Sequence, residues 1–121
     1  MLYFAGDRRV KEILDGAASG TTECYTCDTS LAELYYKTCE TLGREVADLR
    51  YTSIRNSAVA VLATDERLTR TAGGLKCAHR KLALADAYVV AAAQRLRGTL
   101  VTTDHVIDDL KLAPTKLLQI P

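Results

Sequence analysis

Apolar residues recur along this chain in two rhythms, a helical spacing of three to four and short unbroken runs that suit strands. Val10, Ile13 and Leu14 share one face of a helix predicted over Arg8–Asp15, which Gly16 is expected to stop. Thr22–Cys27 reads as a strand. From Leu31 the positions Leu31, Leu34, Tyr35 and Leu42 form a stripe, and Val46, Leu49 and Ile54 form another over Arg44–Ile54. Val59–Leu62 is a short strand. Asp65 is placed to cap a helix burying Leu68, Ala72 and Leu75, weakened by Gly73 and Gly74 at roughly 1 kcal/mol each.

The clearest helix is Leu84–Leu96, with small residues Ala87, Val90, Ala91 and Ala92 on one face and Gly98 as its C′ residue. The run Thr99–Thr103 follows at once as a strand, and Leu117–Ile120 makes a last one. Strands alternating with helices imply parallel pairing. The expected fold is therefore α/β, a three-layer sandwich with a parallel central sheet flanked by helices. With 121 residues and neither repeat nor linker, 1–121 reads as a single domain.

Charge narrows the function classes only modestly. The chain has 16 Lys/Arg against 15 Asp/Glu, a net charge of +1, which does not by itself argue for gripping a long nucleic acid. An acidic cleft on a basic surface would give the same total. No apolar run is long enough to span a bilayer and no leader opens the chain, so a soluble cytoplasmic protein is expected. Cys24 and Cys27 have knuckle spacing, but no second Cys or His pair matches it. They read as small buried apolar groups, with a disulfide left open for a hyperthermophile source.

The chemistry concentrates in three carboxylates. Asp104 ends the strand that follows Gly98, and ligands of open α/β sheets bind beyond that end. Asp86 lies in an otherwise apolar stretch, where an uncompensated carboxylate is costly. A capping box would need Ser or Thr at position 83, which is Ala83. Glu33 points away from the Leu31/Leu34/Leu42 stripe, although Ser30-Leu31-Ala32-Glu33 itself fits a capping box. Acids gathered in one cleft repel unless a divalent cation neutralises them, which suggests Mg²⁺ or Mn²⁺ chemistry on phosphates.

Three segments carry a resemblance: Ser30-Leu31-Ala32-Glu33-Leu34-Tyr35-Tyr36, Leu82-Ala83-Leu84-Ala85-Asp86-Ala87 and Leu100-Val101-Thr102-Thr103-Asp104. In order and spacing they resemble the three later acidic motifs of PIN-domain proteins, and among these the VapC-type toxins of prokaryotes. The resemblance implies an endoribonuclease that binds Mg²⁺ or Mn²⁺ through four acids, three of them matched by Glu33, Asp86 and Asp104. Thr102 matches a hydroxyl residue that orients a carboxylate or water. It also implies an RNA substrate, a small antitoxin whose tail fills the cleft, and a homodimer, for which Leu31–Leu42 with Tyr36 is the candidate surface.

Two departures accompany it. Met1–Asp7 resembles the segment just after the family's first acid, so the chain is expected to lack the strand carrying that acid. Alternatively, Leu2–Ala5 is a shortened strand and Asp7 a substitute. Ala83 stands where the family usually has Ser, and His105 and Val106 where further acids often occur. His79-Arg80-Lys81 leads toward Asp86 and is either a phosphate contact or a solvated loop. His79 and His105 would be the acid and base of a metal-free alternative. Two rivals stand beside the nuclease: a catalytically degenerate PIN-like binding module, and a phosphatase or receiver-like domain, which lacks a second acid beside a strand-terminal Asp.

Overall fold

The computed structural model describes residues 15–102 and 105–117, with the side chains of 102, 105, 106, 116 and 117 left aside. The expectations for Met1–Asp7, for the helix over 8–14, for Asp104 and for a strand over 118–120 lie outside the described residues. The chain divides into two compact units, the first ending at Leu62 and the second beginning at Ala63.

In the first unit, α1 covers residues 15–19 and runs through Gly16 rather than stopping there. Gly16 is small for a different reason: a Cβ at that position would lie 2.8 Å from the Thr22 hydroxyl oxygen. The chain folds back here, and the Thr21 and Thr22 amides donate to the Gly16 carbonyl at 2.9 and 3.1 Å.

Strand β1 (Tyr25–Cys27) pairs in parallel with β2 (Ala60–Leu62), Thr26 standing opposite Val61. Parallel neighbours need a long crossover. Here it is a helical hairpin, α2 (Asp28–Leu42) and α3 (Arg44–Arg55), joined by Gly43 alone. Gly43 has φ 90° and ψ 168°, a conformation that is essentially closed to residues with a Cβ.

The hairpin closes on Leu31, Ala47 and Ile54, and Cys27 and Val59 are buried at the strand ends. The Tyr35 hydroxyl donates to Asp48 at 2.8 Å, and its ring meets Tyr51 edge-on at 6.3 Å. Arg55 donates to the Tyr51 hydroxyl at 2.9 Å and stacks over that ring. Two residues expected inside are outside: Leu42 is 54% and Leu49 71% exposed. Ala47 and Ile54, seven apart, set the buried stripe of α3, and Leu49 falls nearly half a turn away from it. Leu42 is the last residue of α2, directly before Gly43.

In the second unit, α4 (Glu66–Ala78) and α5 (Leu84–Leu96) pack against each other through Leu68, Ala72, Ala87, Val90 and Ala91. Strand β3 (Leu100–Thr102) pairs in parallel with β4 (Thr115–Leu117), with α6 (His105–Leu110) in the crossover. Both units thus show the parallel α/β organisation that the alternation of elements predicts. The Leu84–Leu96 helix and its four-residue small face are as expected. Its end differs by one position: Arg97, not Gly98, adopts the left-handed conformation (φ 53°), and Gly98 N–H reaches back to Ala93 at 2.9 Å.

Asp65 caps α4 as expected, accepting from Leu68 N–H at 2.7 Å. The same carboxylate receives both ends of the Arg95 guanidinium at 2.8 and 2.9 Å, tying the start of α4 to the end of α5. The Arg95 bonds, then the Leu68 amide, hold the Asp65 carboxyl down at about 2.

Two predictions follow from these helices. Gly73 and Gly74 lie inside α4 with open space around a built Cβ. Gly73→Ala and Gly74→Ala should each raise stability by about 0.5–1 kcal/mol, read as a higher urea midpoint. A loss at either position would contradict the helix. For Asp65, the folded pKa lies below the unfolded value of about 3.9, so its charge stabilises the fold above that pH and ceases to as pH falls through about 2. Asp65→Asn should therefore melt earlier at pH 7, with the gap closing between about pH 4 and 2. A gap independent of pH would contradict the pairing.

Candidate active site

Glu33 sits in the second turn of α2. The helix begins at Asp28, with Cys27 as N-cap and no side-chain cap, so the expected capping box is not formed. Ser30 lies inside the first turn and is buried. Glu33 instead accepts from Lys37 Nζ at 3.1 Å, one turn further along. The two side chains are 32% and 60% exposed. A pair this open to water is worth only about 0.3–0.5 kcal/mol, so Lys37 holds the carboxylate without locking it.

Asp86 occupies the third position of α5 and is half-buried. Ala83, the N-cap, is extended and supplies no side-chain cap. The unsatisfied first-turn amides and the helix dipole therefore favour a negative charge at Asp86. It has an interaction partner in the fold and is not a lone buried charge. Asp104 lies outside the described residues; the strand before it ends at Thr102 and α6 begins at His105.

Glu33 thus belongs to the first unit and Asp86 to the second. Among the described residues no three His, Cys, Asp or Glu side chains gather into a cation site. The donor chemistry of the candidates fits a hard cation, since Glu33 and Asp86 are half-buried carboxylates.

Sequence reading passed over Asp28. It follows β1 directly and opens α2, half-buried. The signal was available, since an acid at a strand's carboxyl end is the same observation that singled out Asp104.

Among the described residues the cysteines join no cluster of three metal-ligating side chains. All four are free thiols. Burial, then the Asp28 charge, pushes the Cys27 thiol up to about 11, and burial raises Cys24 too. Metal ligation and nucleophilic attack need the thiolate, which these sites disfavour. Cys24 and Cys39 are only partly buried and Cys77 is exposed, so the buried apolar reading fits Cys27 best. In the loop before α5, Arg80 and Lys81 are exposed and the Arg80 carbonyl accepts from Lys76 at 2.7 Å.

A family model described as PIN domain matches residues 3–112. No curated protein and no solved structure matches the chain.

Proposed function

The chain belongs to the PIN-domain family, and from that premise we propose that it is a divalent-metal-dependent endoribonuclease, the toxin of a toxin–antitoxin pair. The family's fold is of nuclease type, and PIN-domain nucleases bind RNA. The observation that carries the reading is the match over nearly the whole chain, which takes in all three acidic segments.

Glu33, Asp86 and Asp104 are the proposed catalytic and metal-binding residues. A bound Mg²⁺ or Mn²⁺ supplies Lewis-acid polarisation of the scissile phosphate and a more acidic water. The chain's own contribution is placement. The α5 N-terminus favours the ionised form of Asp86, and α2 carries Glu33 on a weak lysine contact that a cation can displace. Thr102, the last residue of β3, is proposed to orient a neighbouring carboxylate or water.

The proposed partner is a small antitoxin whose tail carries a basic side chain into the acidic cleft. A homodimer through the α2 surface is supported by Tyr36 and Leu42, large apolar groups that are 51% and 54% exposed. The proposed location is the cytoplasm. Among the described residues no helix is long and apolar enough to cross a membrane.

A second reading, a binding module without chemistry, draws on two observations. Lys37 already offsets Glu33, and Ala83 leaves α5 without a side-chain cap.

RNA cleavage with Mg²⁺ or Mn²⁺, with EDTA, and by Asp86→Asn separates the readings. The nuclease reading expects cleavage that EDTA abolishes and that Asp86→Asn lowers by about 100-fold or more. Cleavage that survives both would sink the metal mechanism, and a folded protein that never cuts RNA would leave the binding module.

A further inference from the structure

Charge is unevenly spread along the chain. Residues 65–97, which span α4, its loop and α5, hold seven Lys/Arg against three Asp/Glu, a net of +4. The whole chain is +1, so the remaining residues sum to −3. The basic excess is concentrated on one helical hairpin, and part of it faces a groove.

That groove, of about 220 Å³, runs between α4 and α5 with Arg67, Thr71, Gln94 and Arg95 around Leu68 and Ala91. Arg67 and Thr71 also line an adjoining depression of about 420 Å³, with Arg70 and Glu66. Arg67 and Arg70 are exposed and one turn apart, about 5–6 Å between Cβ atoms. Neither makes a side-chain hydrogen bond or ion pair among the described residues. Arg95 is held in place by Asp65, which takes one N–H from each of its two terminal nitrogens. A guanidinium has five such donors, so the rest are not spent on Asp65. Gln94 is likewise anchored, donating to the Leu112 carbonyl at 2.9 Å.

Two fixed side chains and two exposed arginines suit an extended anion. The lining has no aromatic residue on which a base could stack, so the chemistry is that of the backbone, not of base recognition. Asp65 is consumed internally, which leaves Glu66 as the acid of the adjoining depression. Arginine forks match phosphate oxygens in geometry as well as charge.

We propose that the α4–α5 groove, through Arg67 and Arg70 with Arg95 alongside, seats the phosphate backbone of the RNA strand through side chains other than the three acidic residues. This rests on the ribonuclease reading above. The seat adds affinity without sequence preference, so its signature is the salt dependence of binding.

The test is fluorescence anisotropy of a labelled single-stranded RNA in EDTA, titrated with the full chain at several salt concentrations. R67Q/R70Q should weaken binding by roughly 25-fold at 0.1 M salt and reduce the slope of log K against log salt by about 1.4, the value for two lost single-strand contacts. R67K/R70K should keep most of the affinity. R44Q/K111Q, with the same loss of charge elsewhere, should leave binding near wild type. Melting curves confirm that each variant is folded. Wild-type binding with an R67Q/R70Q affinity and slope unchanged overturns the seat while leaving the ribonuclease reading intact. A wild type that binds no RNA overturns both. Binding of polyglutamate that depends on these arginines, with RNA binding unaffected by them, assigns the groove to an acidic peptide and also overturns the proposal.

Discussion

Because Tyr25–Cys27 runs parallel to Ala60–Leu62, and Leu100–Thr102 parallel to Thr115–Leu117, every strand must hand the chain to a helix before its partner can form. This one constraint decides where chemistry can sit. Strand ends become helix beginnings, and helix beginnings are where backbone amides lack partners and negative charge is favoured. Asp28 directly after β1, Asp65 at the start of α4 and Asp86 in the first turn of α5 all occupy such places. The fold uses the same local physics for two ends. At Asp65 it is structural, since the carboxylate is consumed by the Leu68 amide and by Arg95. Asp86 is engaged in the fold as well, and the N-cap of its helix, Ala83, makes no side-chain cap.

How far sequence reading reaches depends on the range of the interaction. The helix over Leu84–Leu96 is legible because its small residues recur at helical spacing and bury as a set. The Asp65 cap is legible because donor and acceptor are three positions apart. The other half of the Asp65 interaction is not, since Arg95 lies thirty residues away and nothing local points to it. Gly16 shows the converse error. Its smallness serves a close approach to Thr22, a contact made only when the chain folds back, and reading it as a helix stop mistakes packing for conformation. The capping box at Ser30–Glu33 fails for a related reason: β1 passes into α2 at Cys27, three residues before the matching sequence. Leu49 shows that an apolar residue follows its helix face and not its hydrophobicity.

The candidate site follows the same division. That Glu33 and Asp86 lie on early helical turns is local and was readable. That they share a cation with Asp104 is a proposal about tertiary placement, and no pattern in the chain specifies it. The charge distribution adds a second layer. A near-zero total conceals a basic α4–α5 hairpin in a chain whose remainder is acidic. A local excess of this kind gives a chain of net charge +1 a surface that attracts polyanions.

As proposed, the side chains at 33, 86 and 104 share one divalent cation. Mn²⁺ binding followed by electron paramagnetic resonance, on the full chain and on Glu33→Gln, Asp86→Asn and Asp104→Asn, tests it most directly. The parent chain should bind Mn²⁺ and each substitution alone should weaken binding, since each would remove a ligand of the same ion. A folded variant of any one of the three that binds Mn²⁺ as tightly as the parent would contradict it.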